Sequence, residues 1–196
     1  MILSNTELHR ALDEGRVRID PEPVPRFGGD DSGSCPYQTS SVDLRLGDEV
    51  SYFKEDLPIS IDLRKGSFAK LFLANSESRI ITEEQPFSLR PGRLILCKTL
   101  ERVTLPLPEQ GAVPLAARIE GKSSYARCGL MVHLTAPTIH AGFTGSITLE
   151  MINLGLHNII LYPGTPICQL IIEEVHGIPF ANISQFQGQV RPGGRA

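Results

Sequence analysis

The spacing of hydrophobic residues changes from a helical pattern to a strand pattern early in the chain. One helical face is formed by Leu8, Ala11 and Leu12. Ser4 followed by Glu7 is typical of a capping box, and Gly15 is a residue type that commonly ends a helix. The pattern therefore predicts an N-terminal helix over about residues 4–14.

The following segment, residues 21–38, is dense in Pro, Gly, Asp and Ser, which favours an irregular surface loop. After this loop, Val42, Leu44 and Leu46 alternate with polar residues, as in a β-strand. Short apolar runs bounded by turn residues then recur at residues 59–61, 72–73, 94–96, 113–115, 147–149, 159–161 and 167–172. This recurrence predicts a mainly β domain.

Two Pro-Gly turns precede strand-like runs in similar surroundings. Residues 89–92 read Leu-Arg-Pro-Gly, and residues 161–164 read Leu-Tyr-Pro-Gly. Pro and Gly fit the central positions of a type II turn that leads into a strand. Two explanations account for this similarity: an internal repeat, or independent use of the same turn type at both places.

Length and composition indicate one domain over residues 1–196. The chain is 41% hydrophobic, and no apolar run approaches the roughly 20 residues that cross a bilayer. Its formal net charge of −3 argues against a protein that coats nucleic acid, because such proteins usually carry a basic excess. The N-terminus also lacks the pattern of an export signal. We expect a cytoplasmic protein that partners neither nucleic acid nor membrane.

Residues 121–127 combine several groups that suit an anion. Gly121 lets the backbone bend, and Ser123 and Ser124 are residue types that cap a short helix. Arg127 lies one turn after Ser123, so its guanidinium and the serine hydroxyls can converge on one anion. This is the arrangement that a phosphate requires.

A single acidic residue, Glu150, ends the apolar run at 147–150. Desolvation penalises a charged carboxylate, so a shielded one needs either a partner or a chemical task. An ion pair with a neighbouring Arg or Lys is the common explanation for a lone glutamate, but the apolar neighbours here favour a chemical task. Together with the anion-binding segment, Glu150 suggests nucleotide chemistry.

The chain resembles the deoxycytidine triphosphate (dCTP) deaminases, which belong to a superfamily with the trimeric dUTP diphosphatases. The resemblance is carried by QTSSVDLRLG at 38–47, LRPG at 89–92, GKSSYARCGLM at 121–131, VHLTA at 132–136, GFTG at 142–145 and ITLE at 147–150. It implies a mainly β, dUTPase-like β-clip or distorted β-barrel with a few short helices. It also implies a homotrimer with active sites between subunits.

The resemblance assigns the nucleotide contacts. The residues that it places on the triphosphate are Lys122, Ser123, Ser124, Arg127 and Gln189. Mg²⁺ is expected to be bound through the phosphates, and charge-assisted donors suit a polyphosphate. Thr148 is placed against the substrate and His140 against its sugar. The expected ligand is dCTP, with dTTP and dUTP as further candidates.

Glu150 resembles the catalytic acid and base of that family. Hydrolytic deamination needs water deprotonated and protons delivered to N3 and the leaving amine, which one carboxylate with a raised pKa can do. The resemblance implies that the Ser123 hydroxyl and backbone carbonyls near Thr135 and Ala136 place the water. Zinc-dependent deaminases use His-x-Glu with Pro-Cys-x-x-Cys, and neither motif occurs here, so we expect no zinc.

His140 departs from the family pattern, which usually has an aspartate that binds the deoxyribose hydroxyl and, in the diphosphatases, orients water. A neutral imidazole accepts a hydrogen bond but carries no negative charge. Pro137 also stiffens the preceding turn. We therefore expect dUTP and ammonia as products, without pyrophosphate. A simple packing role at the turn is the alternative for His140.

The C-terminal segment, residues 185–196, is polar and glycine-rich and contains two arginines. We interpret it as a lid over the phosphates, with a frayed terminus as the alternative. Two rival functions also remain. One is a bifunctional deaminase and diphosphatase that forms dUMP, and the other is a non-catalytic nucleotide-binding regulator.

Overall fold

The computed structural model describes residues 1–28, 35–54, 60–62, 64, 68–107 and 112–181. The helices are α1 (Asn5–Asp13), α2 (Phe68–Asn75) and α3 (Ser123–Ala126). The strands are β1 (Arg18–Asp20), β2 (Tyr37–Gln38), β3 (Ser41–Arg45), β4 (Glu49–Phe53), β5 (Ser76–Ile80), β6 (Phe87–Leu89), β7 (Leu94–Thr104), β8 (Leu115–Gly121), β9 (Leu130–Met131), β10 (Thr138–Ile139), β11 (Thr144–Asn153), β12 (Ile159–Leu161) and β13 (Pro166–Glu174).

The strands form two larger sheets and one small sheet, and the strand pairs are antiparallel. The first sheet has the order β5-β4-β7-β11-β9, with β1 added to β7. The second has the order β10-β8-β13-β3-β2, and β12 pairs with β6 separately. The prediction of a mainly β fold with a few short helices is confirmed. Among the described residues the sheets stay open, so the barrel is not closed.

The core lies between the long central strands of the two larger sheets. Along β11, Leu149 and Met151 are fully buried, whereas Thr148 and Glu150 are half-buried on the opposite face. Each fully buried side chain of this size stabilises the fold by about 1.5–3 kcal/mol. This alternation fixes which face of β11 carries Glu150.

The N-terminal helix follows the predicted capping chemistry. The Ser4 hydroxyl accepts a hydrogen bond from the Glu7 N–H at 3.3 Å, and α1 ends before Gly15. Leu8 and Ala11 are buried in the core. The segment before the helix is tied to the second sheet, since the N–H of Leu3 donates to a carbonyl of β13.

Two segments differ from the pattern read in the sequence. Residues 72–73 lie in α2 rather than in a strand, because their neighbours include Ala, Lys and Leu, which favour helix. Tyr37–Gln38 form β2 rather than part of the loop, because Tyr37 is buried beside β3. Residues 21–28 carry no helix or strand, and residues 29–34 of the predicted loop lie outside the described ranges.

The two Pro-Gly turns occupy matching places in the fold. Strands β6 and β12, which precede the turns, pair with each other, so that Leu89 lies opposite Ile159. Gly92 and Gly164 have φ angles of 75° and 78°, as the third residue of a type II turn requires. The turns then lead into the long strands β7 and β13.

A close backbone contact joins the end of the α3 turn to the loop after β11. The N–H of Leu154 donates to the carbonyl of Gly129 at 2.8 Å. The fully buried Asn153 side chain holds the same loop, since it donates to the carbonyl of Leu89 and accepts from the N–H of Gly155. The α3 turn is thereby fixed to the strand that carries Glu150.

Replacing Gly129 with alanine is expected to destabilise the fold strongly. A Cβ at this position would lie 2.3 Å from the backbone nitrogen of Gly155, and φ is 90°. The Gly92→Ala variant is a matched control, since Gly92 also has positive φ but has no atom within 4 Å of its Cβ position. We expect Gly129→Ala to lose about 1–3 kcal/mol more than the control, from urea unfolding. Equal losses would contradict this contact.

Candidate active site

The α3 turn presents several hydrogen-bond donors at the surface. Lys122 is the N-cap in extended conformation and makes no side-chain cap bond, so the expectation that Ser123 and Ser124 cap the helix is wrong. These serines instead occupy the first helical positions, where the helix does not use their N–H groups. Their side chains and that of Arg127 are exposed. This turn therefore offers hydroxyl, amide and guanidinium donors together.

The strands around α3 determine its position. β8 ends at Gly121, which lies opposite Cys168 on β13, and α3 starts directly after it. The Lys122 ammonium forms an ion pair with Asp43 on β3. Sequence reasoning missed Asp43, because its alternation with Val42 and Leu44 predicted a solvent-facing side chain, whereas the residue is only 9% exposed.

Glu150 lies on β11, opposite Leu96 on β7. Burial raises the pKa of its carboxyl above the ordinary value near 4.5. Its own N–H, the imidazole of His133 and the N–H of Leu134 favour the charged form and oppose this rise. The carboxyl is thus shielded enough to hold a proton more tightly than usual, yet it keeps partners that stabilise its anion.

His133 is a second residue that sequence reasoning did not single out. Its Nε2 atom lies 3.6 Å from the Glu120 carboxylate, and its Nδ1 atom is buried without a hydrogen-bond partner among the described residues. Glu120 in turn lies 3.4 Å from Arg118. The VHLTA motif contains His133, but only the fold shows that the imidazole lies near Glu150.

The remaining predicted residues fall into three positions. Thr148 shares the half-buried face of β11 with Glu150. Ala136 is exposed on the segment that follows His133, and His140 is exposed at the turn before β11, where its carbonyl accepts the Phe143 N–H at 3.1 Å. Gln189 and the predicted lid lie outside the described residues.

The predicted residues in the described ranges thus lie in three places. These are the α3 turn, the half-buried face of β11 with the segment 133–136, and the turn that carries His140. Strand β9 follows the α3 turn and pairs with β11, with Met131 opposite Ile152. The α3 turn, which carries the candidate phosphate donors, therefore leads through β9 to the strand that carries the shielded carboxyl of Glu150.

The described part of the chain contains no group of three or more His, Cys, Asp or Glu side chains arranged to hold a metal ion. It also contains no helix with the length and apolar character needed to span a membrane.

The sequence is similar to that of known proteins. A family profile described as dCTP deaminase-like matches residues 2–175. A Methanosphaera stadtmanae protein named "dCTP deaminase, dUMP-forming" is 38% identical over 174 residues, covering 89% of this chain and 79% of that protein. A Rhodospirillum rubrum protein named "dCTP deaminase" is 38% identical over 180 residues, covering 89% of this chain and 83% of that protein.

The crystal structure of 2′-deoxycytidine 5′-triphosphate deaminase from Agrobacterium tumefaciens has the same fold. It aligns with a TM-score of 0.60 at 18% identity, covering 89% of this chain and 48% of that one. The chain thus spans about half the length of that protein. The profile match and the 38% identity over most of the sequence show that the chain belongs to the dCTP deaminase-like family.

Proposed function

We propose that this protein hydrolyses dCTP to dUTP and ammonia. The observation that carries this proposal is Glu150, a half-buried carboxyl with a raised pKa on β11, which pairs with the strand β9 that follows the α3 turn. The family relationship gives the substrate class, and relatives at 38% identity are named dCTP deaminases. A carboxyl whose raised pKa lets it take up and return protons suits hydrolysis at C4 of cytosine.

The chemistry balances with one carboxylate. Glu150 takes a proton from water as the oxygen attacks C4, and it passes this proton to N3. It then takes the proton of the new hydroxyl and passes it to the exocyclic amine, which leaves as ammonia. Both transferred protons come from the water, so Glu150 ends the cycle in its starting state.

The water in this proposal is placed by Ser123 and by backbone carbonyls near Ala136. The segment 133–136 supports this assignment, since the Leu134 N–H and the His133 imidazole already act on the Glu150 carboxyl. Ala136 lies two positions after Leu134 on this segment. Thr148, on the same face of β11 as Glu150, contacts the nucleotide, and His140 accepts a hydrogen bond from its sugar.

The triphosphate lies on the α3 turn, with Lys122, Ser123, Ser124 and Arg127 as donors and Gln189 closing over it. Mg²⁺ would enter with the nucleotide and offset phosphate charge. Its ligands would be phosphate oxygens and water, the hard oxygen donors that this ion prefers.

We further propose a cytoplasmic homotrimer in which neighbouring subunits complete each site. The exposure of the α3 side chains, and of Met131 and Leu134 next to them, supports this assembly. A solution mass three times the 21.5 kDa of one chain, measured by light scattering, would agree with it.

A second candidate function is the formation of dUMP and pyrophosphate from dCTP. It is favoured by the name of the Methanosphaera stadtmanae relative, "dCTP deaminase, dUMP-forming". His140 argues for the simpler reaction, because a neutral imidazole lacks the negative charge with which an aspartate would orient a water at the α-phosphate.

Product analysis tests both functions. The protein is incubated with dCTP and Mg²⁺, and ammonia, pyrophosphate and the nucleotides are measured over time. We expect ammonia and dUTP in equal amounts. Pyrophosphate with dUMP would establish the second candidate, and the absence of ammonia would overturn deamination.

The raised pKa of Glu150 also predicts how stability depends on pH. A folded-state pKa above the ordinary value near 4.5 means that the contribution of Glu150 to stability is complete below pH 4.5 and is lost as pH rises through the folded-state pKa. The neutral Glu150→Gln side chain has no such loss. We expect the Tm of the variant, relative to the wild type, to increase with pH above 4.5 in a series of thermal scans. A constant Tm difference would contradict the shift.

A further inference from the structure

The ion pair between Lys122 and Asp43 has a second consequence for the phosphate end of the site. Both side chains are largely buried, at 21% and 11% exposure, although Lys122 directly precedes the exposed α3 turn. We propose that Asp43 is a positioning residue that holds the Lys122 ammonium in place for the triphosphate. This inference rests on the proposed function, which places the triphosphate on α3.

The carboxylate of Asp43 is itself held in one orientation. Its Oδ2 atom accepts from Lys122, and its Oδ1 atom accepts from the Gln169 amide at 3.3 Å. The same amide nitrogen donates to the Ser41 hydroxyl at 3.2 Å. Gln169 lies on β13, with Asp43 opposite it on one side and Glu120 opposite it on the other. Gln169 on β13 therefore fixes the carboxylate that accepts from the lysine.

Burial makes this pair costly to separate. If Lys122 swung away to meet a phosphate alone, Asp43 would remain as a buried, unpaired charge. An ammonium has three donors, and Asp43 uses one of them, so the others remain for phosphate oxygens. Lys122 can therefore meet the triphosphate without leaving Asp43.

Fixing the lysine in advance lowers the cost of binding. A free lysine side chain has many rotamers, and ordering it on a ligand reduces affinity. Asp43 already restricts the Lys122 side chain, so less conformational freedom is lost when the nucleotide binds. Asp43 also offsets the charge of Lys122, whereas no ion pair in the described ranges involves Arg127. Arg127 is thus the group with uncompensated positive charge.

The test compares wild type, Asp43→Asn and Lys122→Met. Asparagine keeps the size of the side chain but removes its charge. We expect Asp43→Asn to raise the KM for dCTP about tenfold, while kcat changes less than twofold. Inorganic tripolyphosphate, titrated by calorimetry with Mg²⁺ present, should lose affinity by a similar factor. A purely structural defect would instead lower kcat or the active fraction.

A double variant measures whether Asp43 acts through Lys122. If Asp43 acts through Lys122, then Asp43→Asn combined with Lys122→Met should bind no more weakly than Lys122→Met alone. Additive losses, an unchanged KM in Asp43→Asn, or tighter tripolyphosphate binding by that variant would each overturn the proposal. Tighter binding would mean that Asp43 competes with phosphate for the lysine.

A second variant covers the case in which Asp43→Asn does not fold. Gln169→Leu leaves both charges in place but removes the hydrogen bond that orients Asp43, and we expect its KM to rise about threefold with unchanged kcat. An unchanged KM would contradict the proposed orientation. Wild-type protein that releases no ammonia and binds no tripolyphosphate would overturn the proposed function, whereas active wild type with normal variants would overturn only the role of Asp43.

Discussion

The Glu150→Gln variant is expected to release ammonia from dCTP about a thousandfold more slowly than the wild type. Glutamine has nearly the same shape but cannot take a proton from water or deliver one to N3. Because the substitution leaves the α3 turn intact, the variant should still bind dCTP with Mg²⁺. Ammonia release under saturating substrate measures the rate, and calorimetry measures binding.

Glu174→Gln is a suitable control for this experiment. Glu174 lies at the end of β13 that is remote from α3, opposite Leu115, so its charge is not part of the proposed site. It should retain full activity. If Glu150→Gln deaminated dCTP at a rate within tenfold of this control, Glu150 would not be the proton carrier.

Replacing Arg45, whose side chain is 40% exposed, with methionine is expected to lower the free energy of unfolding by about 2–3 kcal/mol. The Glu101 side chain is fully buried and accepts from the Arg45 guanidinium at 2.7 Å and from the Arg45 N–H at 2.8 Å. Loss of the guanidinium leaves a carboxylate in the core without its countercharge. Urea unfolding, monitored by circular dichroism, measures the loss.

A double variant separates the unpaired charge from lost packing. Glu101→Met combined with Arg45→Met removes both charges, and we expect it to recover most of the stability, since apolar replacements of buried pairs are often tolerated. If Arg45→Met cost less than about 1 kcal/mol, the pair would not be an important link between the two sheets that contain β3 and β7.

The local features of the fold were predictable from the sequence. The Ser4–Glu7 capping pattern, the two Pro-Gly turns and the alternation along β11 depend on residues close together in the chain, and the structure contains them. The shielded position of Glu150 was predicted from the apolar residues that flank it in the sequence. The family resemblance, carried by motifs such as GKSSYARCGLM, is confirmed by the profile match over residues 2–175.

The long-range features were not predictable. Asp43 and Lys122 are 79 positions apart, and only the placement of β13 between their strands brings them together. His133 lies near Glu150 because β9 pairs with β11, which no local pattern indicated. The prediction of a strand at residues 72–73 was wrong, because two apolar residues are too few to distinguish the helical period of 3.6 from the strand period of 2.

Gly129, after α3, and Gly155, after β11, bring two backbone segments into close contact, so substitutions in one segment constrain the other. A Cβ at Gly129 would lie 2.3 Å from the Gly155 nitrogen, and a Cβ at Gly155 would lie 2.5 Å from the Cys128 carbonyl oxygen. Neither glycine can therefore be exchanged unless the opposite loop moves. Directed evolution of nucleotide preference should therefore keep both glycines constant. It should diversify Ser123, Ser124 and the residues around His140 instead. Libraries that randomise position 129 or 155 would consist mostly of misfolded clones, whatever base or sugar they were meant to accept.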